Sequence, residues 1–354
     1  MHLRLFFAAA VFKIKKYLPW CLICLFSLNS FATGNEKELI RKIASIEKNS
    51  HVIIGISAVL IEKNKIISHN AKQRFFMAST IKLPIALAFL HRVDEKKDSL
   101  NRTMNLDFKN SVPGSGSLYH AFERRKISVP MQKIMNLMLI ESDNSASDAL
   151  LQAVTGPAYV TKRMGEIGFK NIIINRSILE ILMDTNHVAR SYLKTHQTVY
   201  VWKKIFNKTP LWQKASAWER FQKDIRDTTT PHDMAQLLVK LFKGQILSAD
   251  STRLLIHTME QCRTGRHRIK GLLPNYVKVA HKTGTWGIDE IKYIKYPGAK
   301  NLYRFASDVG IITLPKNKGH IAIAIYVKSQ SASDYPRNRA IALTSRAIYD
   351  HFMK

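Results

Sequence analysis

Residues 51–62 alternate apolar and polar side chains and are enriched in β-branched types. A Lys63–Asn64 turn leads to a second short run at 66–69, and the pair reads as a β-hairpin. The period then lengthens. Ile81, Pro84, Ile85, Leu87, Ala88 and Phe89 form a broad apolar face, which predicts a helix opening near Ser79 and running to about Arg92. Pro84 falls in the first turn or so of that helix, where a missing N–H costs little. Helical spacing continues through 129–141, 145–154 and 158–167. Late in the chain the period returns to two at 276–284, 305–314 and 321–328, the last two runs joined by a turn at 315–319, and 338–353 closes as a helix.

Strands at both ends with helices between predict an α/β (α+β) fold. An antiparallel sheet flanked by helices is formed from both chain ends, and an all-helical domain is inserted into it. The expected division assigns 33–78 and 235–354 to the sheet domain and 79–234 to the helical domain. One stretch breaks the pattern. From Thr185 to Arg226 the chain is aromatic and very basic, and one or two amphipathic helices packed on the surface are expected there.

Charge extends that observation to the whole chain. Over 354 residues, 55 Lys and Arg face 26 Asp and Glu, a formal +29 that favours anionic partners. The N-terminus narrows the choice of partner. Lys13, Lys15 and Lys16 precede an apolar run from Tyr17 to Phe31, and Ser30-Phe31-Ala32 supplies small residues at the end. This order is that of a secretory signal peptide over residues 1–32, cleaved near Ala32, and the run is short of the roughly 20 residues a membrane helix needs. A periplasmic or secreted location is therefore expected, with an anionic cell-envelope polymer as a partner class and no nucleic acid. Cys21 and Cys24 would leave with the signal, so Cys262 stands alone in the mature chain and no internal disulfide is expected.

Three short motifs carry chemistry. In Ser79-Thr80-Ile81-Lys82, residues three apart at a helix start share one face, so the Lys82 ammonium can reach the Ser79 hydroxyl. A lysine can take the serine proton when it is buried and surrounded by cations. The bland reading makes Ser79 an N-cap and leaves Lys82 in water. Ser142-Asp143-Asn144 lies between two helical patterns, where Asn144 and Ser145 could also simply cap the next helix. Lys282-Thr283-Gly284-Thr285 ends a predicted strand, and Gly284 would let another segment lie close against it. Any one of these is weak; their order and element types together match the S-x-x-K, S-D-N and K-T-G set of penicillin-recognising serine enzymes.

On these residues the chain resembles a class A serine β-lactamase over most of its length after the signal. Residues 75–83, 113–118, 264–274 and the run Arg226-Asp227-Thr228-Thr229-Thr230-Pro231 support the resemblance. It implies that Ser79 attacks the lactam carbonyl and that Lys82 helps to take its proton. Ser142 would pass a proton towards the departing nitrogen, and Asn144 would hold Lys82 and the substrate amide. Lys282 would add positive potential, with Thr283 and Thr285 binding the substrate carboxylate beside Gly284. The backbone N–H groups of Ser79 and Thr285 would form the oxyanion hole.

The resemblance also implies a glutamate on an Ω-loop, here expected near 172–186, that orients the deacylating water. A gap-free register on Arg176 puts Ile178 at that position; a register shifted by two puts Glu180 there, and the shifted one is preferred because Glu180 is the only glutamate of the segment. The basic insertion, about 185–226, is a departure from the family pattern. So is the sequence Ser307-Asp308-Val309-Gly310, which lacks a carboxylate-gripping arginine; Arg263, Arg266 and Arg268 are the substitutes, Arg268 the more structural of them.

The sequence thus predicts an exported, monomeric hydrolase acting on a β-lactam through an acyl-serine, without metal or organic cofactor. Two alternatives stay open: a D,D-peptidase-like penicillin-binding protein that deacylates slowly, and an inactive basic envelope-binding module. The thirteen histidines show no zinc-site spacing.

Overall fold

The computed structural model describes residues 34–195, 197–287 and 301–354, so the expected signal peptide lies outside the described residues. The described chain opens on helix α1 (Gly34–Asn49), enters the hairpin β1 (Ile53–Leu60) and β2 (Lys65–His69), and passes through the two-residue strand β3 (Phe75–Phe76). A 3-10 turn at Ala78–Ile81 leads into α2 (Lys82–Asp94). A small ribbon of β4 (Thr103–Leu106) and β5 (Ile127–Pro130) flanks the one-turn helix α3 (Tyr119–Phe122) and precedes α4 (Met131–Ile140), α5 (Asn144–Ala153) and α6 (Pro157–Glu166). Then come α7 (Ile178–Thr185), α8 (Val199–Lys208), α9 (Leu211–Phe221), the two-residue β6 (Thr228–Thr229), α10 (Pro231–Phe242) and α11 (Ala249–Glu260). The chain closes through β7 (Val279–Trp286), β8 (Arg304–Leu314), β9 (Gly319–Ser329) and α12 (Tyr335–Met353).

Five strands from the two chain ends make one antiparallel sheet in the order β2-β1-β9-β8-β7. The period of two decides which core each side chain enters. Ile321, Ile323, Ile325 and Val327 join Ile54 and Ile56 in the layer under α1 and α12. Their neighbours Ala322, Ala324 and Tyr326 face the helical body with Val59, α2 and α10. Both faces are covered, which is why β9 reads as a nearly continuous apolar run.

Several boundaries move for local reasons. The helix expected from 129 starts at Met131, because Ile127 to Pro130 pairs with β4 as a strand. The strand expected from 276 starts at Val279. Residues 34–49, for which no element is predicted, form α1, whose Leu39 and Ile43 (four apart) are buried. The expected division at 235 falls inside α10, and the buried residues of α10 and α11 belong to the core of the helical body.

The basic stretch does contain two amphipathic helices, α8 and α9. Trp202 and Phe206 of α8 pack with Met183 and Val188, while Ala215, Trp218 and Phe221 of α9 pack on Phe76, Ala78 and Phe305. Trp218 Nε1 donates to Tyr303 O at 2.8 Å. The insertion therefore rests on the segment that leads into the Ser79 turn, and Lys203, Lys204 and Lys208 point outward.

Candidate active site

Ser79 sits in the 3-10 turn just before α2, partly exposed, and follows Ala78, whose φ of +48° bends the chain sharply into the turn. Lys82 opens α2 three residues on and is completely buried. Its ammonium donates to Ser142 O at 2.6 Å, Asn144 Oδ1 at 2.9 Å and Ser142 Oγ at 3.2 Å, three acceptors for three N–H bonds. Burial, then the charge of Lys282, hold the Lys82 pKa well below its usual value against the opposing pull of Asp143 and Asp148.

The Ser142-Asp143-Asn144 turn is held from three sides. Ser142 adopts a left-handed φ of +60°. Asp143 caps α5 by accepting from Ala146 N at 2.8 Å, and its other oxygen accepts from Leu118 N at 2.8 Å. Asn144 Nδ2 donates to Pro113 O at 2.8 Å, and Ser115 Oγ donates to Ser142 O at 2.6 Å. Gly114 and Gly116 both have positive φ and touch the turn so closely that a Cβ would lie 2.4 Å from Asn144 Nδ2 and 2.1 Å from Asp143 Oδ2 respectively. Ser115 is a member of the site that motif reasoning passed over, although it lies inside a stretch the sequence singled out.

Lys282, also fully buried, arrives from β7 and donates to Ser142 Oγ at 3.0 Å and to Thr283 O at 2.8 Å. Burial lowers its pKa to about 8, with Arg268 pushing the same way and Cys262 and Asp308 opposing. The Ser142 oxygen thus receives N–H bonds from both lysines, which leaves its own proton free to be given elsewhere. Gly284 is required by close approach: a Cβ there would lie 2.8 Å from Met77 O and 3.0 Å from Ser79 N. The Ser79 backbone N–H is thereby laid beside β7, next to Gly284 and one residue from Thr285.

Ser79, Ser142, Asn144, Thr283 and Thr285 line one cleft of about 280 Å³, with Thr264 and Leu182 at its rim. A larger cavity of about 970 Å³ lies between the Ω segment and α9. Its floor is already charge-paired, Arg176 with Asp184 and Asp224, Arg190 with Asp184, Arg226 with Asp224, and it holds none of the three motifs. Size does not locate the chemistry here.

Glu180 is not among the residues that line the cleft. It is the third residue of α7 and forms a capping box: its Oε2 accepts from Ser177 N at 2.8 Å while Ser177 Oγ accepts from Glu180 N at 3.2 Å. Its other oxygen pairs with Arg190. The carboxylate that acts on Lys82 from this side is Asp148, four residues after Asn144 and so on the same face of α5. Asp148 accepts from Ile178 N at 2.7 Å and Leu179 N at 3.0 Å, which fixes the start of α7 and sets Ile178, the gap-free position, against α5.

Of the three arginines, Arg268 is buried and clamps β7, donating to Gly284 O at 2.7 Å, Ser307 O at 2.9 Å and Thr285 Oγ1 at 2.5 Å. Arg263 pairs with Glu141 and Arg266 donates to the His267 ring. Arg268 therefore positions Thr285 from behind the strand.

Burial raises the Asp148 pKa from 3.8 to about 6, against the two N–H bonds, Ser177 and Lys82. Between those values the folded chain binds more protons at Asp148 than the unfolded chain does, so this residue's contribution to stability falls as pH rises from about 4 to 6. Asp148→Asn removes that slope. The variant's melting temperature, measured relative to wild type, is expected to climb as pH goes from 4 to 7, whatever constant offset the lost acceptor adds; parallel curves would contradict the assignment.

A family model described as "Beta-lactamase enzyme family" matches residues 37–352. Among curated proteins the chain is 26% identical to the extended-spectrum beta-lactamase PER-1 of Pseudomonas aeruginosa, over 96% of each chain. It is 25% identical to beta-lactamase VEB-1 of the same organism, over 96% of this chain and 99% of that one. Among solved structures, the TLA-1 extended-spectrum beta-lactamase is similar with a TM-score of 0.71 and 26% identity, over 90% of this chain and all (100%) of that one. A beta-lactamase from Chitinophaga pinensis gives 0.70 and 25%, covering 88% and 98%.

Proposed function

Because the chain belongs to the beta-lactamase enzyme family, as a class A serine β-lactamase, we propose that it opens the lactam amide through an acyl-enzyme on Ser79. The observation that carries this reading is the Ser142 hydroxyl, bridged by Lys82 and Lys282 at the mouth of the Ser79 cleft. Lys82, its ammonium form disfavoured by burial, takes the Ser79 proton as the hydroxyl attacks the carbonyl carbon. The developing oxyanion is received by the N–H groups of Ser79 and Thr285, each such donor contributing about 3–4 kcal/mol in related chemistry. Ser142 gives its proton to the departing ring nitrogen and is resupplied through the lysines it touches. Thr283 and Thr285 hold the substrate carboxylate under the positive potential of Lys282. Water then releases the acyl group. Turnover of a chromogenic cephalosporin tests the reading; no hydrolysis and no acylation would reject it.

A second reading, acylation followed by slow release, is favoured by one observation: Glu180 is committed to its cap and to Arg190. The two readings differ in the time course, a steady rate in the first and a burst of about one equivalent in the second. In either case Glu180→Gln is expected to leave the release rate within about threefold of wild type, since Gln also serves a capping box and a part-exposed ion pair is worth about 0–1 kcal/mol. Accumulation of a trapped adduct in that variant alone would restore Glu180 to catalysis.

Export through the N-terminal signal and action as a monomer belong to the same proposal. The outward lysines of α8 support contact with an anionic envelope polymer.

A further inference from the structure

Nine large apolar side chains stand exposed among the described residues, and four of them, Tyr192, Tyr200, Leu211 and Trp212, fall in the basic insertion between residues 192 and 212. Tyr200 is 73% exposed and Trp212 59%. From Ser191 to Trp218 the sequence has five lysines and no Asp or Glu. Lys194, Lys203, Lys204 and Lys208 are exposed, whereas Lys214 is buried. Tyr200, Lys204 and Lys208 are spaced four apart on one face of α8, about 6 Å from one to the next along the axis. Lys203 and Asn207, also exposed, widen that row. The inner face of the same helix is spent on the core, with Val199, Trp202 and Phe206 buried.

A second basic run meets α8 at its start. Glu123 accepts from Val199 N, and the three residues after it, Arg124, Arg125 and Lys126, are all exposed. Among the described residues, neither these three cations nor the four outward lysines of the insertion have a carboxylate within ion-pair distance. Charge and exposed rings therefore gather on the same part of the chain, and neither is answered from within.

We propose that the outward surface of α8 and the start of α9 docks an acidic glycan of the cell envelope, whose sugar rings stack on Tyr200 and Trp212 while its acidic groups meet the lysines. The inference names the partner of the envelope-contact reading and rests on it. An exposed phenol or indole ring offers a negative π-face to the C–H groups of a sugar ring. The positive field draws a polyanion in, and rings set among the cations grip it by more than charge. A bilayer calls for a different design, because a helix lying in the membrane interface keeps one apolar face free to sink below the headgroups. The apolar side of α8 is already packed against Met183 and Val188. A protein partner fits poorly as well, since lysine is depleted from protein interfaces. Rings and ammonium groups interleaved along one helix face suit a chain in which rings and charges also alternate.

Co-sedimentation with beads carrying polygalacturonate tests this, against beads carrying poly-glutamate at equal charge density and vesicles of phosphatidylglycerol. The protein is expected to bind polygalacturonate roughly tenfold more tightly than poly-glutamate, the gain that two aromatic contacts supply. Tyr200→Ala and Trp212→Ala should each weaken binding to polygalacturonate about threefold or more and leave poly-glutamate unchanged. Lys203→Gln, Lys204→Gln and Lys208→Gln combined should weaken binding to both polymers. All five side chains are exposed, so melting temperatures should stay near that of wild type. Equal affinity for the two polymers, unmoved by the Tyr200 and Trp212 substitutions, overturns the glycan and leaves a contact made by charge alone. Tighter binding to the vesicles than to polygalacturonate assigns the surface to lipid and overturns it too. Binding to neither polymer overturns the envelope contact itself, and the glycan with it.

Discussion

Replacing Lys82 by alanine is expected to slow acylation of Ser79 by roughly 10²–10⁴-fold, the span that a positioned general base contributes. The amine is the proton acceptor nearest in sequence to the nucleophile, and burial together with Lys282 makes its charged form costly. The fold should survive the change. Ser115 Oγ still donates to Ser142 O at 2.6 Å, so one of the acceptors Lys82 abandons is not left bare. Stopped-flow acylation with a penicillin reads the loss directly, and circular dichroism checks the fold. An acylation rate close to that of wild type would mean that another group takes the proton.

The second large effect is expected at Asp227→Asn, which is distant in sequence from every motif. Asp227 Oδ1 accepts from Asn175 N at 2.7 Å and Arg176 N at 3.1 Å, and its Oδ2 pairs with Arg176 Nε at 2.5 Å. Its own carbonyl accepts from Met77 N at 3.0 Å, two residues before Ser79. One buried residue therefore closes the Ω segment and ties it to the Ser79 turn. Asparagine tolerates the left-handed φ of +55°, so the substitution removes the charge with little backbone strain. Breaking a buried ion pair at one partner costs roughly 3–5 kcal/mol. A fall in melting temperature on the order of 5–10 °C follows for a chain of this size. Turnover should fall with it even well below the melting temperature, because α7 and the Ser79 turn lose their common anchor. A variant as stable and active as wild type would show that Arg176 is satisfied by Asp184 and Asp224 alone.

Much of this architecture is legible in the sequence because period and position coincide. The run 321–328 alternates between two cores, and the Ser79, Ser142 and Lys282 motifs fall at a helix start, an interhelical turn and a strand end, the places from which side chains can meet. The Ω segment was harder, for a physical reason. Register on Arg176 points to Glu180, yet Ser177-Ile178-Leu179-Glu180 is itself a capping-box pattern that marks Glu180 as a helix-start residue. Asp148 could have been found in the same way, four residues after Asn144 on a predicted helix. Ser115 could not, because its role depends on how two left-handed glycines fold a loop onto Asn144.

Ser79 is expected to carry the acyl group, and finding where that group sits decides the matter. Wild type and Ser79→Ala are mixed with a penicillin, quenched in acid within the first turnovers, and examined by intact mass and peptide mapping. A mass gain equal to one whole penicillin is expected on the wild-type peptide containing Ser79, and none on the variant. A gain of the same mass in Ser79→Ala, or its location on any other residue of the wild type, would contradict it.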